Sequence, residues 1–129
     1  MRIPNETISI VLESEDGNAE FTFQKAKYNE VIKYTSPLLD SERNADGSLK
    51  DLPAFNKAWR EYRAFMFGTC TSVSGIVNPD ESPVTVEQVR AQEFQPDMAN
   101  KIWDALQAVT SGGGASEKNE PSPEGQSSD

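Results

Sequence analysis

A hairpin signal near the start of the sequence constrains the fold more than any other feature. Apolar and polar side chains alternate over residues 7–13 and 19–25, with Ile8, Ile10 and Leu12 in the first segment and Ala19, Phe21 and Phe23 in the second. This period of two predicts half-buried strands, and the Asp16-Gly17 pair between them favours a tight turn. Because a lone two-stranded ribbon is only marginally stable in water, other parts of the chain must cover its apolar face.

Two segments after the hairpin have the spacing of amphipathic helices. We predict that the first covers part of the hairpin and ends before Pro37, because proline disfavours α geometry in the residue that precedes it; its apolar stripe is Tyr28, Val31, Ile32 and Thr35. The second runs from Pro53 to Phe67 behind an Asp51 N-cap, with Gly68 at its C-terminal end. We expect its stripe to form the central core; this stripe is Phe55, Ala58, Trp59, Tyr62, Phe65 and Met66.

Two more helices are predicted toward the C-terminus. Thr85 and Gln88 have the spacing of a capping box, which predicts a short helix. Pro96 can begin a longer helix, because the first turn needs no N–H from it. The buried stripe of that helix is expected to be Met98, Ile102, Ala105, Leu106 and Val109.

The remaining segments set the domain boundaries. Residues 40–51 have little to bury and are predicted to form a mobile loop, while Ile76 and Val77 could add a short strand. Residues 110–129 contain Ala115 as their one apolar side chain, which predicts a disordered acidic segment rich in Gly, Ser and Pro. We therefore predict one α+β domain over residues 1–109, an N-terminal β-hairpin packed against a small bundle of three to four helices; no internal repeat is visible.

Composition excludes several chemistries. The 129-residue chain has no histidine and 1 cysteine, so it lacks a Ser-His or Cys-His nucleophile pair, an internal disulfide and a thiolate zinc site. It has no phosphate-binding glycine loop, and the calcium-like stretch from Glu42 to Gly47 has Pro53 where the closing Glu belongs. We expect no catalytic residues, no metal and no cofactor.

Charge and hydropathy limit the partners and the compartment. With 12 basic and 21 acidic side chains, the net charge of −9 repels nucleic acid and anionic lipid headgroups. The longest apolar run, residues 64–67, is far shorter than a membrane span. We expect neither a nucleic-acid nor a membrane partner. The unpaired cysteine and the lack of a signal-peptide pattern favour the cytoplasm.

Phe67 and Trp103 do not fit the apolar stripes of their helices. At 100° per residue, Phe67 lies about 120° from Phe55 and Trp103 lies about 140° from Met98, at the shoulder of each stripe. Such residues either cover the hairpin or belong to an intermolecular surface, where Trp is favoured. We take Phe67 and Trp103 as the candidate partner-binding residues, with Trp59 in the core, and expect a larger loss of stability from Trp59→Ala than from Trp103→Ala.

The order of elements and one segment point to a known family. Residues 75–89, Gly-Ile-Val-Asn-Pro-Asp-Glu-Ser-Pro-Val-Thr-Val-Glu-Gln-Val, form a Pro-Val and Thr-x-Glu turn before a short helix, and a Pro-opened helix follows at Pro96. Together with the N-terminal hairpin and the aromatic-rich helix, this pattern resembles the tail assembly chaperones of long-tailed bacteriophages over residues 7–109.

The resemblance implies a non-enzymatic protein of the infected host's cytoplasm. Such a chaperone binds the tape measure protein, keeps it soluble, helps recruit tail tube subunits, and is absent from the mature virion. Self-association stays open. Two other hypotheses also remain: a small structural protein of the virion, such as a head-tail joining or tail subunit, and an acidic decoy that inhibits a nucleic-acid-binding host defence protein.

Overall fold

The computed structural model describes residues 1–4 and 6–110, and it has an α+β fold. A three-stranded antiparallel sheet is combined with four helices. The elements in chain order are β1 (Thr7–Ser14), β2 (Gly17–Gln24), α1 (Tyr28–Leu39), α2 (Leu52–Phe67), β3 (Cys70–Ser74), α3 (Val86–Arg90) and α4 (Pro96–Thr110). The predicted fold class is confirmed. Apart from Thr110, which ends α4, the segment predicted to be disordered lies outside the described residues.

The N-terminal hairpin forms as predicted. Strands β1 and β2 pair without a break from Thr7 opposite Gln24 to Ser14 opposite Gly17, and Gly17 takes the positive φ, 130°, that the turn requires. Alternation places Ile10, Phe21 and Phe23 on the same, buried face. The opposite face is largely exposed, so the sheet has one face in the core and one face in solvent.

The third strand is not where the sequence placed it. Strand β3 begins at Cys70, directly after α2, and pairs with β2 through Phe21 opposite Val73, with a register shift near Phe23. Val77, predicted to add a strand, instead makes an isolated bridge to Pro83. The chain leaves β3 through Gly75 at a φ of 80°, where a Cβ atom would overlap the carbonyl oxygen of Asn18.

The core lies between the sheet and two helices. Helix α4 contributes Ile102 and Leu106, both fully buried, and the last turn of α2 contributes Met66 and Phe67. Val89 of α3 also belongs to this cluster. Hydrophobic stripes therefore meet the apolar sheet face, which is the cover that an isolated hairpin needs. No helix within the described residues is long and apolar enough to cross a membrane.

Helix α1 differs from the prediction in length and in packing. It continues through Pro37 to Leu39, contains no buried residue, and contacts α2 through a stack of Tyr34 on Phe65 at 4.4 Å. Proline removes the backbone hydrogen bond to the carbonyl four residues earlier, and α1 continues for two residues beyond Pro37 without that bond. The prediction that α1 ends before Pro37 is therefore wrong, and α1 packs mainly on α2 rather than on the hairpin.

Two loops share one hydrogen-bonded structure. Residues 44–48 and 78–82 both read Asn-x-Asp-x-Ser; in each, the Asn N–H donates to the Ser carbonyl, at 2.7 and 2.8 Å, and the Asp carboxylate accepts from the Ser N–H and hydroxyl. The residue before the Ser has a positive φ, 89° at Gly47 and 73° at Glu81. A five-residue repeat is therefore present where none was seen, and residues 40–51 contain an ordered turn that the prediction of a mobile loop did not include.

Candidate binding surface

Phe67 is a core residue. Its side chain has 0% exposure and stacks on the Trp103 ring with centroids 6.1 Å apart. The expectation that Phe67 is partly open is wrong, because the last turn of α2 is enclosed by the sheet and α4, and these elements cover the shoulder of the helix as well as its apolar stripe.

The burial of the two tryptophans is nearly the reverse of what the sequence predicted. Trp59, expected in the core, is 38% exposed, whereas Trp103 is half-buried and packs against the core cluster. Trp103 contacts the rings of Trp59 and Tyr62 edge to face, at 6.4 and 5.8 Å between centroids, in addition to its stack on Phe67. Trp103 therefore joins the core to the surface, and Trp59 forms the outer end of this aromatic cluster.

The aromatic stripe of α2 extends beyond the core. Phe55 is half-buried and packs edge to face on Trp59 at 6.4 Å, while Leu52, one turn earlier, is 53% exposed. Within the predicted stripe Ala58 and Met66 are buried, while Phe55, Tyr62 and Phe65 are half-buried. The expectation that the whole stripe from Phe55 to Met66 is core is therefore wrong at Trp59. A run of uncovered apolar side chains remains, and such runs mark interaction surfaces.

Arg63 fixes the wall of a cleft beside the tryptophans. Its Nε donates to Oε1 of Gln92 at 2.9 Å and its Nη1 donates to Oδ1 of Asn100 at 3.2 Å, so it joins α2 to the turn after α3 and to α4. Gln92 reaches it from a left-handed backbone, with a φ of 57°. The guanidinium carbon lies 5.6 Å from the centre of the Trp103 ring, within the range of a cation-π contact.

These groups form a surface cleft of about 380 Å³, which we call the Arg-Trp cleft. Its lining residues are Asn56, Trp59, Arg60, Arg63 and Trp103. It therefore contains both tryptophans of the chain and two arginines, and no carboxylate lines it. The sequence analysis proposed two binding residues and did not include the arginines. The available signal was the Trp-Arg pair at 59–60, followed by Arg63 on the same helix.

The electrostatics of the Arg-Trp cleft differ from those of the chain as a whole. The net charge is −9, yet in the part of the chain that the structure describes the one ion pair is Lys25 with Glu6, at 3.5 Å. Arg60 and Arg63 thus have no carboxylate within ion-pair distance among these residues. The hydrogen-bond partners of Arg63 are neutral amides, which leave its charge uncompensated.

A larger groove, of about 750 Å³, lies between β1, α1, α2 and the end of α4. Its apolar lining includes Ile8, Val31 and Met66. Its charged residues are Lys25 and Glu6, which pair with each other. This groove therefore has no uncompensated charge, in contrast to the Arg-Trp cleft.

Four titratable groups have shifted pKa values with clear causes, and the first is Tyr62, whose pKa is raised by burial. Burial raises the pKa of the Cys70 thiol, partly offset by hydrogen bonding from the Ser72 backbone and by the nearby positive charge of Arg90. The Ser48 and Ser82 donors lower the pKa of Asp46 and Asp80 in the two repeated loops. Within residues 1–4 and 6–110, no three His, Cys, Asp or Glu side chains form a group that could hold a metal ion.

Comparison with known proteins gives no relative. No protein-family model, no curated protein sequence and no solved structure matches the chain.

Proposed function

We propose that this chain is a non-enzymatic tail assembly chaperone of a long-tailed bacteriophage. It binds the tape measure protein in the host cytoplasm, keeps it soluble, helps recruit tail tube subunits and is absent from the mature virion. The observation that supports this proposal best is the uncovered apolar end of α2, where Leu52 and Trp59 are 53% and 38% exposed beside the Arg-Trp cleft.

In this proposal the apolar end of α2 binds the client, and the acidic remainder of the surface keeps the complex soluble. A long helical client exposes apolar stripes before it assembles, and the exposed Leu52 and Trp59 side chains of α2 offer a complementary surface for such a stripe. The charge of −9 keeps complexes apart from one another and so opposes aggregation of the bound client. Trp103 lines the same surface.

Co-expression tests this function. The tape measure protein from the same phage genome is produced with the wild-type chain, with Trp59→Ala, or with Tyr28→Ala as the matched control. Tyr28 is an aromatic residue on α1 that is 81% exposed and does not line the cleft. We expect soluble client with the wild type and the control, and client in the pellet with Trp59→Ala.

Other outcomes identify the alternatives. A client that stays insoluble with the wild type contradicts the chaperone function. Equal rescue by both variants shows instead that the client does not bind through Trp59. Detection of the chain in purified virions by mass spectrometry indicates a structural subunit. Tight binding to a host nucleic-acid-binding protein, displaced by DNA, indicates a decoy inhibitor.

A further inference from the structure

The charge of the Arg-Trp cleft carries information about what it binds. An acidic chain that masked apolar helices by hydrophobic contact alone would need no cations at the contact surface. Here the two arginines lie beside both tryptophans, with no carboxylate in the lining. Arginine beside exposed Trp is also the composition typical of binding hot spots.

Arg60 and Arg63 have complementary roles in this surface. Arg63 is half-buried and uses Nε and one Nη1 donor within the protein, which fixes the plane of its guanidinium. Its remaining N–H groups stay available, since a guanidinium has five donors. Arg60 is exposed one turn earlier and makes no ion pair among the described residues. The pair therefore presents one fixed and one adaptable cation at the same edge.

We propose that the Arg-Trp cleft binds an acidic amphipathic helix of a protein partner. Apolar side chains of that helix contact Trp59 and Trp103, and its Asp or Glu side chains pair with Arg60 and Arg63. The inference rests on the proposed function only for the statement that the occupant is a protein segment. Leu52 and Phe55 extend the apolar surface along α2 by about 10 Å, so the bound helix contacts it over about two turns.

Nucleic acid is the other ligand class that uses aromatic rings and arginines together. The overall charge favours the peptide, because a long polyanion meets the repulsion of a −9 surface along its whole length. A short helix with a few carboxylates places them only at the cleft. The positive charge of the cleft is thus complementary to a short acidic segment and not to a long polyanion.

Intrinsic fluorescence offers a direct readout, because the chain has 2 tryptophans and both line the cleft. The probes are two synthetic helical peptides of about five turns, both free of Trp and with the same Leu stripe. One has Glu on both flanks of the stripe and the other has Lys. Each is titrated into the full chain at about 50 and about 300 mM NaCl, with a single-stranded oligonucleotide as a third probe.

We expect the Glu peptide to bind about tenfold more tightly than the Lys peptide, with the difference reduced at the higher salt concentration. The net charge alone predicts the opposite order, so the test is sharp. Arg60→Gln should weaken binding of the Glu peptide about fivefold. The matched control, Arg2→Gln, removes the same charge from an exposed position outside the cleft and should leave binding unchanged.

Three results overturn the proposal: tighter binding of the Lys peptide, equal effects of the two Arg variants, or saturable binding of the oligonucleotide at the cleft in place of the Glu peptide. The test is separable from that of the chaperone function. If the peptide preference is observed and the tape measure protein is not kept soluble, the proposed function fails and the assignment of the cleft stands. If the tape measure protein is kept soluble and the peptide preference is absent, the chaperone function stands and the proposal of an acidic helix fails.

Discussion

The two halves of helix α2 have the same sequence pattern and opposite surroundings. Apolar residues recur at helical spacing from Leu52 to Phe67, yet the C-terminal half ends in the fully buried Phe67, while the N-terminal half leaves Trp59 38% exposed. The α2 members of the buried core cluster are Met66 and Phe67, both in the last turn of the helix. Periodicity therefore identifies the apolar face of a helix, but the neighbouring elements decide how far along the helix that face is covered.

The boundary between the halves is a single turn of α2. Tyr62 and Arg63 lie there, with Trp103 of α4 packed against both. Residues after this turn are expected to act on stability, and residues before it are expected to act on binding. Substitutions on the two sides of this turn test that division.

Phe67→Ala should lower the free energy of unfolding by about 3–5 kcal/mol, because it removes a fully buried ring and leaves a cavity. Denaturant unfolding followed by circular dichroism measures the change. Phe55→Ala, in the exposed half of the same helix, is the matched control and should cost about 1 kcal/mol. Equal losses in the two variants would contradict the division.

Trp103→Ala should lower the free energy of unfolding by about 2–3 kcal/mol, since the ring packs on Phe67 and Tyr62 and remains half-buried. Trp59→Ala should cost only about 1 kcal/mol, because much of its ring is already in water. This order reverses the expectation from the sequence. Thermal melts of both variants decide it, and a less stable Trp59→Ala protein would restore the original expectation.

Arg63→Met should destabilise the fold by about 1–2 kcal/mol, because it leaves Gln92 and Asn100 without their donor. Arg60→Met should stay within about 0.5 kcal/mol of the wild type, as is usual for exposed positions. Chemical denaturation of the two variants compares them directly. A larger loss of stability from Arg60→Met than from Arg63→Met would show that Arg60, and not Arg63, is the arginine held in place by the fold.

Leu52→Gln should have the smallest effect on stability, within about 0.5 kcal/mol, because this side chain is 53% exposed. It should nevertheless weaken binding of the Glu peptide, since it shortens the apolar surface of α2. Tryptophan fluorescence titration measures the second effect. Unchanged peptide affinity would confine the binding surface to the Arg-Trp cleft.

Local signals predicted the elements whose determinants lie within a few residues. The Asp-Gly turn predicted the hairpin, Asp51 and Thr85 cap the helices they were expected to cap, and Pro96 begins α4. In each case the chemistry is a backbone donor or a φ angle that one nearby side chain satisfies. Tertiary contacts do not decide these features.

The features that were missed depend on distant partners. Strand β3 has the polar sequence Cys-Thr-Ser-Val-Ser and exists because the free edge of β2 accepts it. Phe67 and Trp59 were misplaced because the helical angle does not report where the sheet ends. The Asn-x-Asp-x-Ser loops were different: their pattern at 44–48 and 78–82 was present in the sequence, and comparing short polar segments would have found it.

The buried thiol of Cys70 makes the opening of the sheet measurable by chemical labelling. Cys70 lies at the start of β3 with 0% exposure, and its thiol proton bonds to the Ser72 carbonyl at 3.5 Å. A thiol reagent can reach it only when β3 separates from the core, and burial further disfavours the reactive thiolate. With 1 cysteine in the chain, every labelling event reports that one separation. The labelling rate therefore counts how often the sheet loosens, with or without a client bound at the far end of α2.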